Sequence, residues 1–465
     1  MLNLLGRLSS VLSGGVIGIL LARRFGAETY GTWSAAVVYG ALVLTAIEGG
    51  LDRVLIREAS RQPEQTGVIL RAVLRGRVVI ASVVIPTALI AAWLIDPTLS
   101  SWLLVLFLVL ARFAEGLQSS YFAALYARHR FGPPNLIETG RRVVVFGGVV
   151  VLLLFDGPIL GAAIISFGVV LVSTYFVRAA TAREGIHTEA GQGLRHLRVD
   201  AFWFWLGGLL FWINGEVDQL MLTGMLGAEA TGIYAAAMRL VIFFFIIPVA
   251  VNNTIIPRLF RSARSGKNLS LHLNGSALML TVVGGIIALE TYLGREAIVE
   301  ILYGEAFLKS GPILGILSAY VFIDFMRMAP SWYIAAADRV ALNTTFLLVA
   351  ALQNVLLNVW LIPKIGPAGA AWATVASSVT LLVLVSGVTS FLTSPRFLLS
   401  FVVGAVPVAL AALLHTQIIG TLGYWGGAAV TVTVIGAGLL ASFMHLRRSG
   451  PPAWLFGPRD ASDAE

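Results

Sequence analysis

The sequence predicts an all-α polytopic membrane protein of about fourteen transmembrane helices, built as two parallel-repeat six-helix lobes followed by two C-terminal helices. Three observations predict it. The chain is 58% hydrophobic and 12% charged, with a mean hydropathy of +0.87; a soluble domain carries about twice that charge fraction. Continuous apolar runs of about 20 residues recur along it, long enough to cross the hydrocarbon core as helices. They do not alternate as barrel strands do. Finally, the chain repeats itself. Gly26 to Ala36 reads GAETYGTWSAA and Gly227 to Ala237 reads GAEATGIYAAA, 201 residues apart; the same offset pairs Leu21 with Leu222 and Arg57 with Arg258. Gly157 to Ala163 (GPILGAA) is echoed by Gly366 to Ala371 (GPAGAA), one residue shorter.

The apolar runs place spans at roughly 5–24, 30–50, 78–95, 101–125, 140–155, 159–178, 201–225, 231–256, 275–293, 312–336, 341–362, 368–391, 397–415 and 424–444. The first run lacks a small-residue cleavage site before a polar mature domain, so it reads as a helix and not as a removed signal. The connections alternate in charge. Of the 32 basic residues, 24 fall on one side, 5 on the other, and Arg112, Arg239 and Arg327 lie inside spans. This asymmetry orients both termini to the cytoplasm, and it accounts for the net charge of +8 without any nucleic-acid partner.

The repeats then acquire geometry. The first motif joins spans 1 and 2, its copy joins spans 7 and 8, and the second motif opens spans 6 and 12. Spans 1–6 therefore match spans 7–12 in the same orientation, related by an axis along the membrane normal. The domains follow as an N-lobe over 1–180, a cytoplasmic linker over 181–200, a C-lobe over 201–391, two further helices over 392–446 and a cytoplasmic tail over 447–465. At each GAExxG corner a glycine turns the chain in a left-handed conformation. Glu28 and Glu229 then sit where the next helix begins and negative charge is favoured.

Charge inside a span marks a functional position or a neutralised pair, because a lone arginine there costs roughly 2.5–3.5 kcal/mol. Arg112 has Glu115 three residues on, and Asp324 has Arg327, so equivalent helices of the two repeats each carry an acid–base pair on one face. These read either as self-neutralising pairs or as the wall of a polar cavity. Arg239 has no acid within a turn of its own helix, and its forked guanidinium suits a phosphate. Span 7 offers Asn214 and Asp218 on one face, with Glu216 turned away, and Asp218 is a site for a coupling proton or sodium ion. Glu48 and Asp52 end span 2, where they meet Arg53 or headgroups. Asn354 and Asn358, and Asn252 and Asn253, read as interhelical glue. The substrate-binding candidates are thus Arg239, Asn214, Arg112 and Arg327. The coupling-ion candidates are Asp218, Glu48, Asp324 and Glu115. With no Cys and six scattered His, no metal site or cofactor is expected.

The chain resembles the polysaccharide biosynthesis transporters, the Wzx-type flippases of O-antigen and other repeat units. The resemblance rests on LLARRFGAETYG (20–31), GLDRVLIRE (50–58), VDQLMLTGMLGAEATGIYAAA (217–237), IPRL (256–259) and LYGEAF (302–307). That superfamily also holds multidrug-and-toxin-extrusion antiporters and the lipid II flippase. The resemblance implies two six-helix lobes around a V-shaped cavity that opens alternately inward and outward. It implies a substrate made of an oligosaccharide on a polyprenyl diphosphate, moved from the inner to the outer leaflet of the cytoplasmic membrane. Its partners would be that lipid-linked oligosaccharide and membrane lipids, with a polysaccharide polymerase left open. The family's cavity is lined by the first two helices of each lobe, which favours Arg239 and Asp218 over the pairs of spans 4 and 10. A cation-coupled multidrug exporter is the alternative. No loop is long enough for a soluble catalytic domain, so an enzyme is not expected.

Overall fold

In a computed structural model, residues 2–48, 50–188, 198–265, 269–337 and 339–413 are described. They are almost wholly helical. In order the helices are α1 (Leu2–Glu48), α2 (Leu51–Arg61), α3 (Thr66–Ile95), α4 (Leu99–Ala127), α5 (Gly132–Leu154), α6 (Ile159–Arg183) and α7 (Arg198–Leu226). They continue with α8 (Ala228–Phe244), α9 (Ile246–Ser265), α10 (Leu269–Leu293), α11 (Arg295–Tyr303), α12 (Ser310–Ala336), α13 (Val340–Ile365), α14 (Pro367–Leu392) and α15 (Arg396–Leu413). Ten helical stretches among the described residues are long and apolar enough to cross a membrane. The expected count of fourteen stands apart from that number for identifiable reasons. Spans 1 and 2 share one such stretch, Gly14–Arg61, and span 14 lies outside the described residues. Helices α5 and α7 occupy the places of spans 5 and 7, but ion-pairing and polar side chains dilute their apolar windows.

Local chemistry sets the breaks. Helix α1 turns at Gly26 (φ 77°, ψ 178°), and α7 gives way to α8 at Gly227 (φ 87°). Both are first glycines of the GAExxG repeat, and both adopt the positive φ that a side chain resists. The expected span 8 divides at Phe245 into α8 and α9. Pro248, three residues on, lacks the N–H that would bond back to the carbonyl of Phe244, and its ring crowds that carbonyl. The Phe245 ring instead sits 5.7 Å from both Tyr320 and Phe325 of α12.

The chain forms two compact units. Of the described residues, the first holds those up to 239 with 302–307 and 358–370; the second holds those of 240–301, 308–357 and 371–413. In the first, α1 packs on α4, α4 on α6, and α7 on α1. Three connections expected on one side of the membrane meet there. Arg128 donates from Nη2 to the Pro63 carbonyl (3.0 Å) and from Nη1 to that of Glu184 (3.1 Å), and Arg130 pairs with Glu184 at 2.9 Å. Two connections expected on the other side meet through an Arg24–Asp156 ion pair. In the second unit α10 packs along α12, with Gly284 against Phe325 and Gly285 against Val408 of α15. Small residues at helix crossings let backbones approach closely where no hydrophobic effect drives helices together. Large apolar side chains such as Val79, Leu94, Leu136, Phe155 and Phe391 are exposed, as befits surfaces bathed in lipid.

Candidate functional site

Among the described residues, a gathering of polar groups on the helices lies in the first unit. Arg239 projects from α8 and is only partly buried. Fully buried Tyr30 brings its hydroxyl beside it. A methyl group added at Gly18 would stand 3.4 Å from that hydroxyl and 3.6 Å from Arg239 Nε, so Gly18 of α1 makes the space the two side chains share. Glu216 of α7 supplies the carboxylate that acts electrostatically on the guanidinium. Gln219, one turn further along α7, donates from Nε2 to Glu216 Oε2 (2.9 Å) and accepts at Oε1 from Ser34 Oγ of α1 (2.7 Å). A relay Ser34–Gln219–Glu216 therefore fixes the acid that faces Arg239.

An aromatic wall closes this cluster. Phe307 is fully buried, edge-on to Tyr30 at 6.1 Å and 5.3 Å from the Tyr303 ring. Tyr303 donates from its hydroxyl to the carbonyl of Ala236, one turn before Arg239 (3.1 Å). Both rings belong to the LYGEAF stretch, which folds as the end of α11 and a 3-10 turn at Glu305–Phe307. That segment falls in the expected connection between spans 9 and 10. Its place among the stretches that carry the family resemblance is the signal in the sequence.

Asp218 and Glu216, two apart on α7, have different surroundings. Asp218 is buried and accepts a hydrogen bond from the Tyr234 hydroxyl, while Glu216 faces Arg239. Spacing gives relative faces on a helix but not which face meets a neighbour. Asn214 donates from Nδ2 to the Leu210 carbonyl of its own helix (2.9 Å).

The charged pair of α4 is part of a longer chain of ions. Arg112 meets Glu115 at 2.7 Å, Glu115 also holds Arg141 of α5, and Arg141 shares Glu138 with Arg142. Arg112 also acts on Glu216, so the ladder continues electrostatically toward Arg239. Glu48 lies within reach of Asp52, Arg77, Glu115 and Arg112. Arg77 falls outside the expected spans, just before span 3. It is fully buried, pairing with Asp52 at 2.8 Å and donating to Ser119 at 2.7 Å. In the second unit Arg327 meets Asp324 at 2.6 Å, a self-contained pair within α12. Asn354 and Asn358 of α13 are fully buried, while Asn252 and Asn253 have no described side chains. Among the described residues no cluster of His, Asp or Glu has the arrangement of a metal site.

A bundle of membrane-length helices with a charged, hydrogen-bonded cluster folded among them defines a membrane transport protein. The chain belongs to the polysaccharide biosynthesis protein family, which it matches over residues 1–263. Over 261 residues it is 23% identical to a putative O-antigen transporter of Shigella flexneri, covering 55% of this chain and 62% of that one. Over 245 residues it is 26% identical to the probable flippase AglR of Haloferax volcanii, covering 50% and 48% respectively. The matches thus span less than two thirds of either relative. In fold it is similar to the lipid II flippase MurJ in an inward closed conformation, with TM-score 0.74 and 14% identity over 94% of this chain and 99% of that one.

Proposed function

We propose that the protein is an alternating-access flippase that carries a polyprenyl-diphosphate-linked oligosaccharide from the cytoplasmic to the outer leaflet for cell-surface polysaccharide synthesis. The observation that carries this reading is Arg239. It is a part-buried guanidinium inside a span, set beside a tyrosine hydroxyl and a carboxylate held by a relay. A forked cation at that depth binds a diphosphate or a sugar carboxylate through charge-assisted hydrogen bonds worth about 1.5–3 kcal/mol. Glu216 holds the cation ready and yields it when the anion arrives. Arg112 continues the polar surface, and Asn214 stands one turn before Asp218 on the same helix. The two lobes, 1–180 and 201–391, would move about the glycine corners, with both termini in the cytoplasm and the 181–200 linker on that side.

A second reading is a cation-coupled exporter of small molecules. It is favoured by the burial of Asp218 and Asp324, two carboxylates within spans that suit a coupling ion. The flippase need not lack such coupling, so the substrate discriminates. The test is glycan export in cells lacking this chain, complemented by wild type or by Arg239→Ala at equal membrane abundance. Restored surface glycan with wild type and its loss with Arg239→Ala support the flippase. Unchanged glycan together with altered drug sensitivity overturns it.

A further inference from the structure

The geometry points to a binding site for an anionic phospholipid in the second unit, with one acyl chain in a groove and the phosphodiester on Arg295. The groove encloses about 720 Å³ between α10, α12, α14 and α15. Its walls are apolar: Gly285 and Leu289 of α10, Ile316 and Phe322 of α12, and Val408 of α15. Gly285 and Tyr292 are seven residues apart on α10, so the groove runs roughly 10 Å along that helix, enough for part of an acyl chain.

Its two ends differ in chemistry. At one, Tyr292 and Trp372 are half exposed, and Arg295 lines the mouth beside them. Tyr, Trp and Arg together mark the level where hydrocarbon meets headgroups. Away from that mouth the lining is apolar except for Ser318, whose hydroxyl is already donated to the Gly315 carbonyl at 2.7 Å.

Arg295 is built into this mouth. A methyl group at Gly315 would come within 2.8 Å of its Cδ and 3.5 Å of its Nε, so its stem lies across α12 in a space that only glycine leaves. Nη1 donates to the Tyr292 carbonyl at 2.8 Å, and the guanidinium sits 4.9 Å over the Tyr292 ring. The ion pair with Glu296 is long, 3.6 Å, and Glu296 is 68% exposed; such pairs are weak. The fork therefore keeps donors for an anion. A cation fixed at the headgroup level above an apolar groove suits a ligand with a phosphate at one end and a hydrocarbon chain at the other. The surrounding bilayer supplies phospholipid of that form.

The full chain, purified in mild detergent, is offered equal amounts of phosphatidylglycerol and phosphatidylcholine, and retained lipid is measured by native mass spectrometry. Wild type is expected to keep one phosphatidylglycerol in preference to phosphatidylcholine. Arg295→Gln is expected to lose that preference by about tenfold, as loss of a charge-assisted hydrogen bond implies, and Arg295→Lys to keep most of it. Ala319→Phe, which fills the groove without touching the charge, is expected to lose both lipids. Each variant is compared at an unchanged thermal transition. Equal retention of the two lipids by wild type, meaning annular lipid only, overturns the site even if every variant misfolds. So does undiminished phosphatidylglycerol on a folded Arg295→Gln, or displacement of the lipid by millimolar inorganic phosphate.

Discussion

Gly31 of α1 lies directly against the backbone of Ala228, and the contact is returned: Gly232 lies against the backbone of Ala27. A methyl group at Gly31 would fall 1.8 Å from the Ala228 carbonyl oxygen, and one at Gly232 would fall 1.9 Å from that of Ala27. The four residues are two pairs of repeat equivalents, Ala27 with Ala228 and Gly31 with Gly232. Reciprocal contact between equivalent positions is what a two-fold relation produces. The second glycine of each GAExxG corner is therefore there for the other corner's backbone.

Gly31→Ala and Gly232→Ala should each destabilise the protein strongly, and to a similar degree. Overpacking a core costs about 1–3 kcal/mol, and a backbone carbonyl has less freedom to move away than a side chain. Gly215→Ala is the control, because nothing lies within 4 Å of a methyl group there. Thermal unfolding of detergent-purified protein gives the comparison. Equal stability of Gly31→Ala and Gly215→Ala would refute the interlocked corners.

Asp324→Ala should be more damaging than Asp324→Ala combined with Arg327→Ala. Removing one partner strands a buried charge at a cost of about 3–5 kcal/mol, whereas removing both leaves none. Arg112 and Glu115 should depart from this rule. Glu115 also serves Arg141, so the double change at 112 and 115 still unbalances the ladder, and rescue should be smaller there. Thermal transitions of the four variants decide it; equal rescue at both sites would show that the ladder does not act as a network.

Tyr30→Phe and Glu216→Gln both alter the surroundings of Arg239 and leave the cation in place. Each should reduce glycan export at normal protein abundance, less severely than Arg239→Ala. Ser34→Ala, which frees the relay one step back, should be milder still. Export per molecule of membrane protein is the measurement. An order with Ser34→Ala worst would mean that the relay matters for stability and not for the cation.

Asp218→Asn separates coupling from structure. If the carboxylate carries the coupling ion, the variant loses transport driven by an ion gradient while retaining gradient-independent exchange. Tyr234→Phe, which removes the hydroxyl bonded to Asp218, should preserve the dependence on the gradient. Wild-type gradient dependence in Asp218→Asn liposomes would remove this residue from the coupling role.

Much of this protein was legible in its residues. Composition and apolar run length settled a helical membrane protein, because a bilayer forces every backbone group into internal hydrogen bonds. The glycine corners at 26 and 227 were readable because only positive φ explains glycine at a repeated helix end, and the pairing of Arg112 with Glu115 and of Arg327 with Asp324 follows from a spacing of three. What the sequence could not decide was rotation and long-range company. Whether Glu216 or Asp218 faces Arg239 depends on how α7 sits after its neighbours pack. Arg77 lies just before the expected span 3 and Arg141 at the edge of span 5; the fold buries one against Asp52 and joins the other to Glu115. Tyr303 and Phe307 lie more than sixty residues beyond Arg239, and only the folding of their connection brings them to its side. Local covalent geometry and solvent preference are written residue by residue; which polar groups neutralise one another inside a membrane is a property of helices already packed.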